Sequence, residues 1–215
     1  MKYRLIVFDW DGTLIDSAGT IVRCIQDAAR DMGLEVPDRE RASHVIGLGL
    51  HDSLRLAVPS LGAERYPDFA AHYRKHFLAR RDSMLLFSGI PDLLERLSKE
   101  RLLAIATGKS RKGLDRSLEA GDLKRFFSGS RCADETNPKP HPAMLLELME
   151  EFSASKTETL MIGDTSHDLE MARAAGVEAL AVTYGAHPES GLRACGPLGC
   201  FSDVRSLSEW LTTNG

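Results

Sequence analysis

Apolar residues along this chain fall into two patterns. Four short runs are almost unbroken: residues 5–9 (LIVFD), 102–106 (LLAIA), 159–163 (TLMIG) and 179–183 (ALAVT). Runs of this length and continuity predict strands covered on both faces, as in a parallel sheet flanked by helices. Between them the apolar positions recur at helical spacing. Leu93, Leu94 and Leu97 do so within residues 91–99, and Leu145, Leu148 and Met149 within residues 142–152. Residues 166–175 start on a serine suited to an N-cap and stop before Gly176, which suits the left-handed end position. Strand alternating with helix predicts an α/β fold built on a doubly wound parallel sheet.

Residues 17–87 break that rhythm. They carry no strand pattern, but Ile21, Ile25, Ala28 and Met32 share one helical face, and Pro37, Gly47-Leu48-Gly49, Pro59 and Pro67 punctuate the stretch. The pattern predicts an all-helical insert, or cap, over residues 17–87, with residues 1–16 and 88–215 forming the α/β core.

Composition bounds the function without naming it. With 215 residues, 43% hydrophobic and 27% charged, the chain suffices for one buried core and a small insert. A formal net charge of −4 supplies no basic excess, so neither nucleic acid nor an acidic membrane is an expected partner. The apolar run before Asp9 is too short for a signal sequence, and no run approaches the ~18 residues of a membrane span. A cytoplasmic protein is expected. Cys24, Cys132, Cys195 and Cys200 form no CxxC pair and show no zinc spacing, so reduced structural thiols are expected, a Cys195–Cys200 loop bridge being the oxidised alternative.

In open α/β sheets, ligands bind beyond the carboxyl ends of the strands. The residues that follow the apolar runs are Asp9, Asp11 and Thr13; Thr107, Gly108 and Lys109; and Gly163, Asp164 and Asp168. Asp9 and Asp11, two apart in extended chain, can face one site, and Gly12 lets the backbone turn and bring N–H groups to an anion. Two carboxylates repel each other and a phosphate dianion alike. A divalent cation resolves this, and all-oxygen ligation favours magnesium (Mg2+). Asp164 ends an apolar strand and needs a partner. Asp168, in the first turn of the next helix, suits either that site or simple helix capping. In NPKPHP three prolines fix the loop that carries Lys139, whose ammonium could offset the carboxylates and a phosphoryl group. The segment around Thr107 and Gly108 lacks the spacing of a Walker A loop.

Together these elements resemble, in order and position, the haloacid dehalogenase-like superfamily of phosphohydrolases across nearly the whole chain. DWDGTLIDS is similar to its first motif, Thr107 to the second, Lys139 to the third and GDTSHD to the fourth. The helical insert resembles the cap of the subgroup that contains phosphoglycolate phosphatases and β-phosphoglucomutase. The resemblance implies that Asp9 attacks phosphorus to give an aspartyl-phosphate, and that Asp11 protonates the leaving alcohol and then activates water. It also implies that Asp9, Asp164 and the Asp11 backbone carbonyl hold magnesium. Gly12, Thr107, Gly108 and Lys139 would bind the phosphoryl oxygens, and Asp168 would support the metal or Lys139. Asp11 argues against the dehalogenases, which lack it. Lys75, the only lysine of the insert, fits a phosphonatase imine poorly.

Two positions depart from the family's habit: Trp10 replaces Leu or Phe, and Gly108 stands where many relatives have Asn. The IGLGL segment at 46–50 is similar to a cap loop of phosphoglycolate phosphatase-like members, and His51 and Arg55 after it could meet a small anionic group. The implied activity is hydrolysis of a small phosphorylated metabolite, phosphoglycolate first, by a monomer or homodimer. A phosphomutase of the β-phosphoglucomutase type and a non-catalytic binding protein are the alternatives.

Overall fold

The computed structural model describes residues 2–80 and 84–214. Met1, residues 81–83 and Gly215, which fall within the expected core and insert, lie outside the described residues. Six strands make one sheet: β1 (Leu5–Phe8), β2 (Leu102–Thr107), β3 (Gly129–Cys132), β4 (Thr159–Gly163), β5 (Glu178–Val182) and β6 (Gly199–Phe201). Their order is β3-β2-β1-β4-β5-β6 and every pairing is parallel. The chain winds outward in one direction from β1 through β2 to β3, then returns to the other side of β1 for β4, β5 and β6. Adjacent β1 and β4 therefore form the switch point where such a sheet opens a crevice.

The four apolar runs became β1, β2, β4 and β5 to within one residue at each end. The two edge strands, GSRC and GCF, carry no apolar run because they are only half-buried. Alternate side chains divide the sheet into two faces. Ile6, Phe8, Leu103, Ile105, Leu160 and Ile162 join one cluster with Trp10, Leu94 and Leu207. Leu5, Val7, Ala104, Ala106, Met161 and Ala181 join the other with Met144, Leu148 and Leu169. The small alanines on the second face let helices approach the sheet closely.

Between β1 and β2 lie α1 (Ala18–Asp31), α2 (Arg39–His44), α3 (Leu50–Ala57), α4 (Tyr66–Arg80) and α5 (Ile90–Leu97). The first four share a hydrophobic cluster of their own, with Ile21, Ile25, Ala28, Leu54 and Phe69 buried in it. Only α5 packs on the sheet, through Ile90, Leu93, Leu94 and Leu97. After β2 come α6 (Arg111–Ala120), α7 (Ala143–Glu151), α8 (Ser166–Ala175), α9 (Glu189–Ala194) and α10 (Val204–Asn214). All four cysteines are free thiols. No helix among the described residues is long and apolar enough to cross a membrane.

Phe8 is fully buried at the centre of the sheet, so Phe8→Ala should cost about 3–5 kcal/mol, the range for emptying a core aromatic site. Urea denaturation measures it; a loss below about 1 kcal/mol would show that the sheet does not depend on this cluster.

Candidate active site

Register brings the chemistry together. Phe8 pairs with Ile105 on one side and Ile162 on the other, so the residues that follow emerge at one level. Asp9 still joins the sheet, its N–H donating to Ile162 O at 2.9 Å. Asp164 leaves β4 beside it, and Thr107 closes β2. Glycines make room for these side chains. A Cβ at Gly12, whose φ is +88°, would overlap Asp164 Oδ2, and one at Gly163 would overlap Asp168 Cγ. Gly12 is expected at the phosphate; its N–H instead donates to Ile15 O at 2.8 Å, and its missing Cβ makes space for a carboxylate.

Asp9, Asp164 and Asp168 are all buried, and each offers a carboxylate oxygen within 4.8 Å of the other two. Lys139, with no exposed surface, reaches Asp9 Oδ1 at 2.5 Å and Asp168 Oδ1 at 2.6 Å. Asp168 serves twice. Its Oδ2 accepts from the Thr165 N–H at 3.0 Å and from the Thr165 hydroxyl at 2.7 Å, closing the capping box of α8. Asp164 accepts from the Thr13 hydroxyl at 2.9 Å and from the Ala186 N–H at 2.7 Å. Asp9 Oδ2 is buried with no hydrogen-bond partner.

The Asp11 carboxylate lies outside this trio. β1 ends at Phe8, so strand alternation no longer governs where residue 11 points. Ser17 donates to its Oδ1 at 2.7 Å and Lys109 Nζ lies 2.8 Å from its Oδ2. Of Asp11, the backbone carbonyl remains the group for the metal role expected of this residue. The Thr107 hydroxyl accepts from the Lys109 N–H at 3.2 Å.

The helical segment closes over this edge through its 44–49 loop. His167 Nε2 and His187 Nε2 both donate to the His44 carbonyl, at 2.7 and 3.1 Å, and Ser43 Oγ donates to Ala186 O at 2.8 Å. The three imidazoles cluster; His187 Nδ1 accepts from the Ser166 N–H, so both ring nitrogens of His187 and Nε2 of His167 take part in docking. Burial, with the His167 ring beside it, pushes His187 down to about 4 and keeps it neutral. A Cβ at Gly108 would fall 2.6 Å from Gly47 O, so the close approach of the segment's backbone requires glycine here. His51 instead meets Tyr66 edge-on and Arg55 pairs with Asp52, so no contact among the described residues ties them to the carboxylates. Lys75 is exposed. Trp10 is core packing against Phe127. His187 and the Ala186 N–H are marked in the sequence by neither spacing nor motif, and Ser17 stands there only as the last residue of DWDGTLIDS.

Burial, reinforced by the carboxylates of Asp9 and Asp168, pushes Asp164 well above the carboxylate range. Burial likewise pushes Asp9 up to about 7, although Lys139 pulls the other way. Burial opposes the charge of Lys139, but Asp168 and Asp9 outweigh it and hold it above the usual lysine range. One ammonium thus pairs with two of three buried carboxylates, and Asp164 has only hydrogen bonds. The residues fit a divalent cation: all donors are carboxylate oxygens, and Lys139 is in contact with only two of the three groups.

A model of the haloacid dehalogenase-like hydrolases matches residues 6–182. The chain belongs to that family. Over 211 residues this hydrolase is 36% identical to a protein named probable phosphatase IndB from Dickeya dadantii, covering 93% of this chain and 91% of that one. It is 32% identical to a phosphoglycolate phosphatase of Aliivibrio fischeri, covering 85% of each chain. A haloacid dehalogenase-like hydrolase from Bacteroides fragilis superposes with a TM-score of 0.86 at 27% identity, over 96% of this chain and all of that one. This hydrolase is thus a phosphatase of the family, in its phosphoglycolate phosphatase-like subgroup.

Asp9 normally titrates near 3.8 and is raised to about 7 in the fold. The folded, metal-free chain therefore keeps a proton that the unfolded chain releases, and the stability this gives is full below about 4 and lost as pH rises through about 7. Asp9→Asn escapes the loss. In chelator its melting temperature should exceed that of wild type by a margin that widens from about pH 4 to about pH 7 and then levels off. A margin independent of pH would contradict the buried-carboxylate reading.

Proposed function

We propose that this hydrolase is a magnesium-dependent phosphatase that cleaves a small organic phosphate monoester through an aspartyl-phosphate on Asp9. One observation supports the reading above all: the two oxygens of Asp9 are unequal. Lys139 faces Oδ1, while the buried Oδ2 has no partner. The bare oxygen is the one suited to bond phosphorus, and the residues around it are already fixed.

In this scheme Asp9 Oδ2 attacks phosphorus and the ester oxygen departs with a proton from the Asp11 carboxylic acid. Asp11, now ionised, takes a proton from water, whose oxygen attacks the aspartyl-phosphate and frees inorganic phosphate. Both half-reactions balance, and Asp9 and Asp11 end as they began. Lys139 offsets charge on the phosphoryl oxygens, and Asp168 keeps Lys139 in place. Thr107 offers its hydroxyl, and Gly108 its amide, to the same oxygens, while the Gly12 N–H is spent on Ile15 O. Asp9, Asp164 and the Asp11 carbonyl would hold magnesium, with Asp168 beside them, and the ion would supply positive charge between carboxylates and phosphoryl group. The domain division follows the same scheme: residues 17–87 act as a cap that excludes water, and residues 1–16 and 88–215 carry the chemistry. Phosphoglycolate is the leading substrate, in line with the relative of that name.

Release of inorganic phosphate from p-nitrophenyl phosphate and phosphoglycolate tests this. Turnover should require magnesium, stop in chelator and return when the ion is restored. Asp9→Asn should lose on the order of 10³-fold or more while remaining folded. Full turnover in chelator would remove the metal from the scheme, and wild-type rates in Asp9→Asn would remove the nucleophile. Isomerisation of a sugar phosphate without release of phosphate would make the enzyme a mutase.

A further inference from the structure

Lys109 sits one residue beyond Gly108, and its place is fixed twice over. Its N–H donates to Thr107 Oγ1 at 3.2 Å and its carbonyl accepts from the Ala133 N–H at 3.0 Å. From that anchor the side chain reaches Asp11, Nζ lying 2.8 Å from Oδ2, with the two side chains only 11% and 12% exposed. The same ammonium stands 4.8 Å from the centroid of the Phe77 ring on α4. Phe77 in turn stacks on Tyr73, with centroids 5.7 Å apart.

Asp11 is thus gripped at both oxygens, by Ser17 and by Lys109. A carboxylate that must pass a proton to an ester oxygen needs a fixed orientation, since general acid–base catalysis depends on heavy-atom approach within hydrogen-bond reach. Lys139 cannot provide this, because its contacts are with Asp9 and Asp168. The Phe77 face adds a second tie. An ammonium over an aromatic ring is drawn to its negative face, most strongly where water is excluded. The helical segment therefore contributes to where the ammonium rests, and through it to where Asp11 rests.

We propose that Lys109 is a positioning residue: its ammonium, held under Phe77 of the helical segment, orients the Asp11 carboxylate for proton transfer to the leaving oxygen and from water. This rests on the reading of Asp11 as acid and base given above. It also assigns Phe77 the role of coupling closure of the helical segment to that orientation.

Leaving-group dependence tests it, because p-nitrophenolate departs without help whereas an alkoxide needs a proton. In Lys109→Met, kcat/KM for phosphoglycolate should fall on the order of 10²-fold, and kcat/KM for p-nitrophenyl phosphate about tenfold less steeply. Water activation should slow as well, so p-nitrophenol should appear in a burst followed by a slow steady state. Lys109→Arg, which keeps the charge, should recover much of the phosphoglycolate rate, and Phe77→Leu should show a milder version of the same asymmetry. Circular dichroism melts confirm that each variant is folded.

Equal losses on both esters, or no loss on either, would overturn the positioning role. A loss confined to the phosphoglycolate KM would overturn it in favour of substrate binding by Lys109. If wild type cleaves both esters and Asp9→Asn neither, while Lys109→Met behaves as wild type, only this proposal fails. If wild type cleaves neither ester, the phosphatase reading fails and this proposal with it.

Discussion

Placing three carboxylates around one ammonium, out of reach of solvent, is costly. The effective penalty of burying an unpaired ion is several kcal/mol, against a total stability of about 5–15 kcal/mol for a domain. Asp9, Asp164 and Asp168 meet that cost only in part. Lys139 answers Asp9 and Asp168, and hydrogen bonds from Thr13 and the Ala186 N–H answer Asp164. The remaining imbalance appears as carboxyl groups pushed far above their ordinary range. A divalent cation among these oxygens would relieve that imbalance, which is why the trio is compatible with one. Much of the local structure follows from tolerating the trio: Gly12 and Gly163 supply the space, and the capping box of α8 locks Asp168.

The sheet explains how such a centre can be assembled from distant parts of the chain. Parallel order with a switch between β1 and β4 delivers Asp9 and Asp164 side by side, and β2 delivers Thr107 on the other flank of β1. The strands are deeply buried and hold these residues rigidly. The helical segment contributes differently, through a thin seam of backbone contacts at Gly47, Gly108 and the His44 carbonyl. Core and segment keep separate hydrophobic clusters. The sheet thus fixes the carboxylate trio, and the segment adds contacts at its rim, Phe77 beside Lys109 among them.

What could be read from the sequence divides along the same line. β1, β2, β4 and β5 announce themselves because strands buried on both faces must be apolar throughout, and the chemistry follows at their ends. β3 and β6 stay hidden, since half-exposed edge strands need no such run. Asp9, Asp164 and Lys139 were legible as charges in settings that demand partners. The double service of Asp168 was visible as two competing possibilities, and both hold in the fold. The direction of the Asp11 side chain was not legible, because it depends on a turn beyond the strand and on Ser17 and Lys109 arriving from elsewhere. Nor was the seam: a carbonyl accepting from two histidines more than a hundred residues away leaves no local pattern.

The centre of the proposal is the covalent bond between Asp9 and phosphorus, and trapping that bond reports on it directly. A single turnover in heavy-oxygen water, with enzyme in excess over p-nitrophenyl phosphate, is followed in both the phosphate and the enzyme. If Asp9 is the nucleophile and water attacks phosphorus in the second step, the phosphate released carries one heavy oxygen and unlabelled Asp9 is regenerated. Direct attack by water gives that same phosphate, so the deciding signal is the trapped intermediate. Acid quench during the turnover, followed by borohydride reduction, should convert Asp9, and no other aspartate, to homoserine in the peptide mass spectrum. A quenched enzyme with Asp9 unmodified at every time point, while p-nitrophenol is being released, would contradict nucleophilic catalysis by this residue.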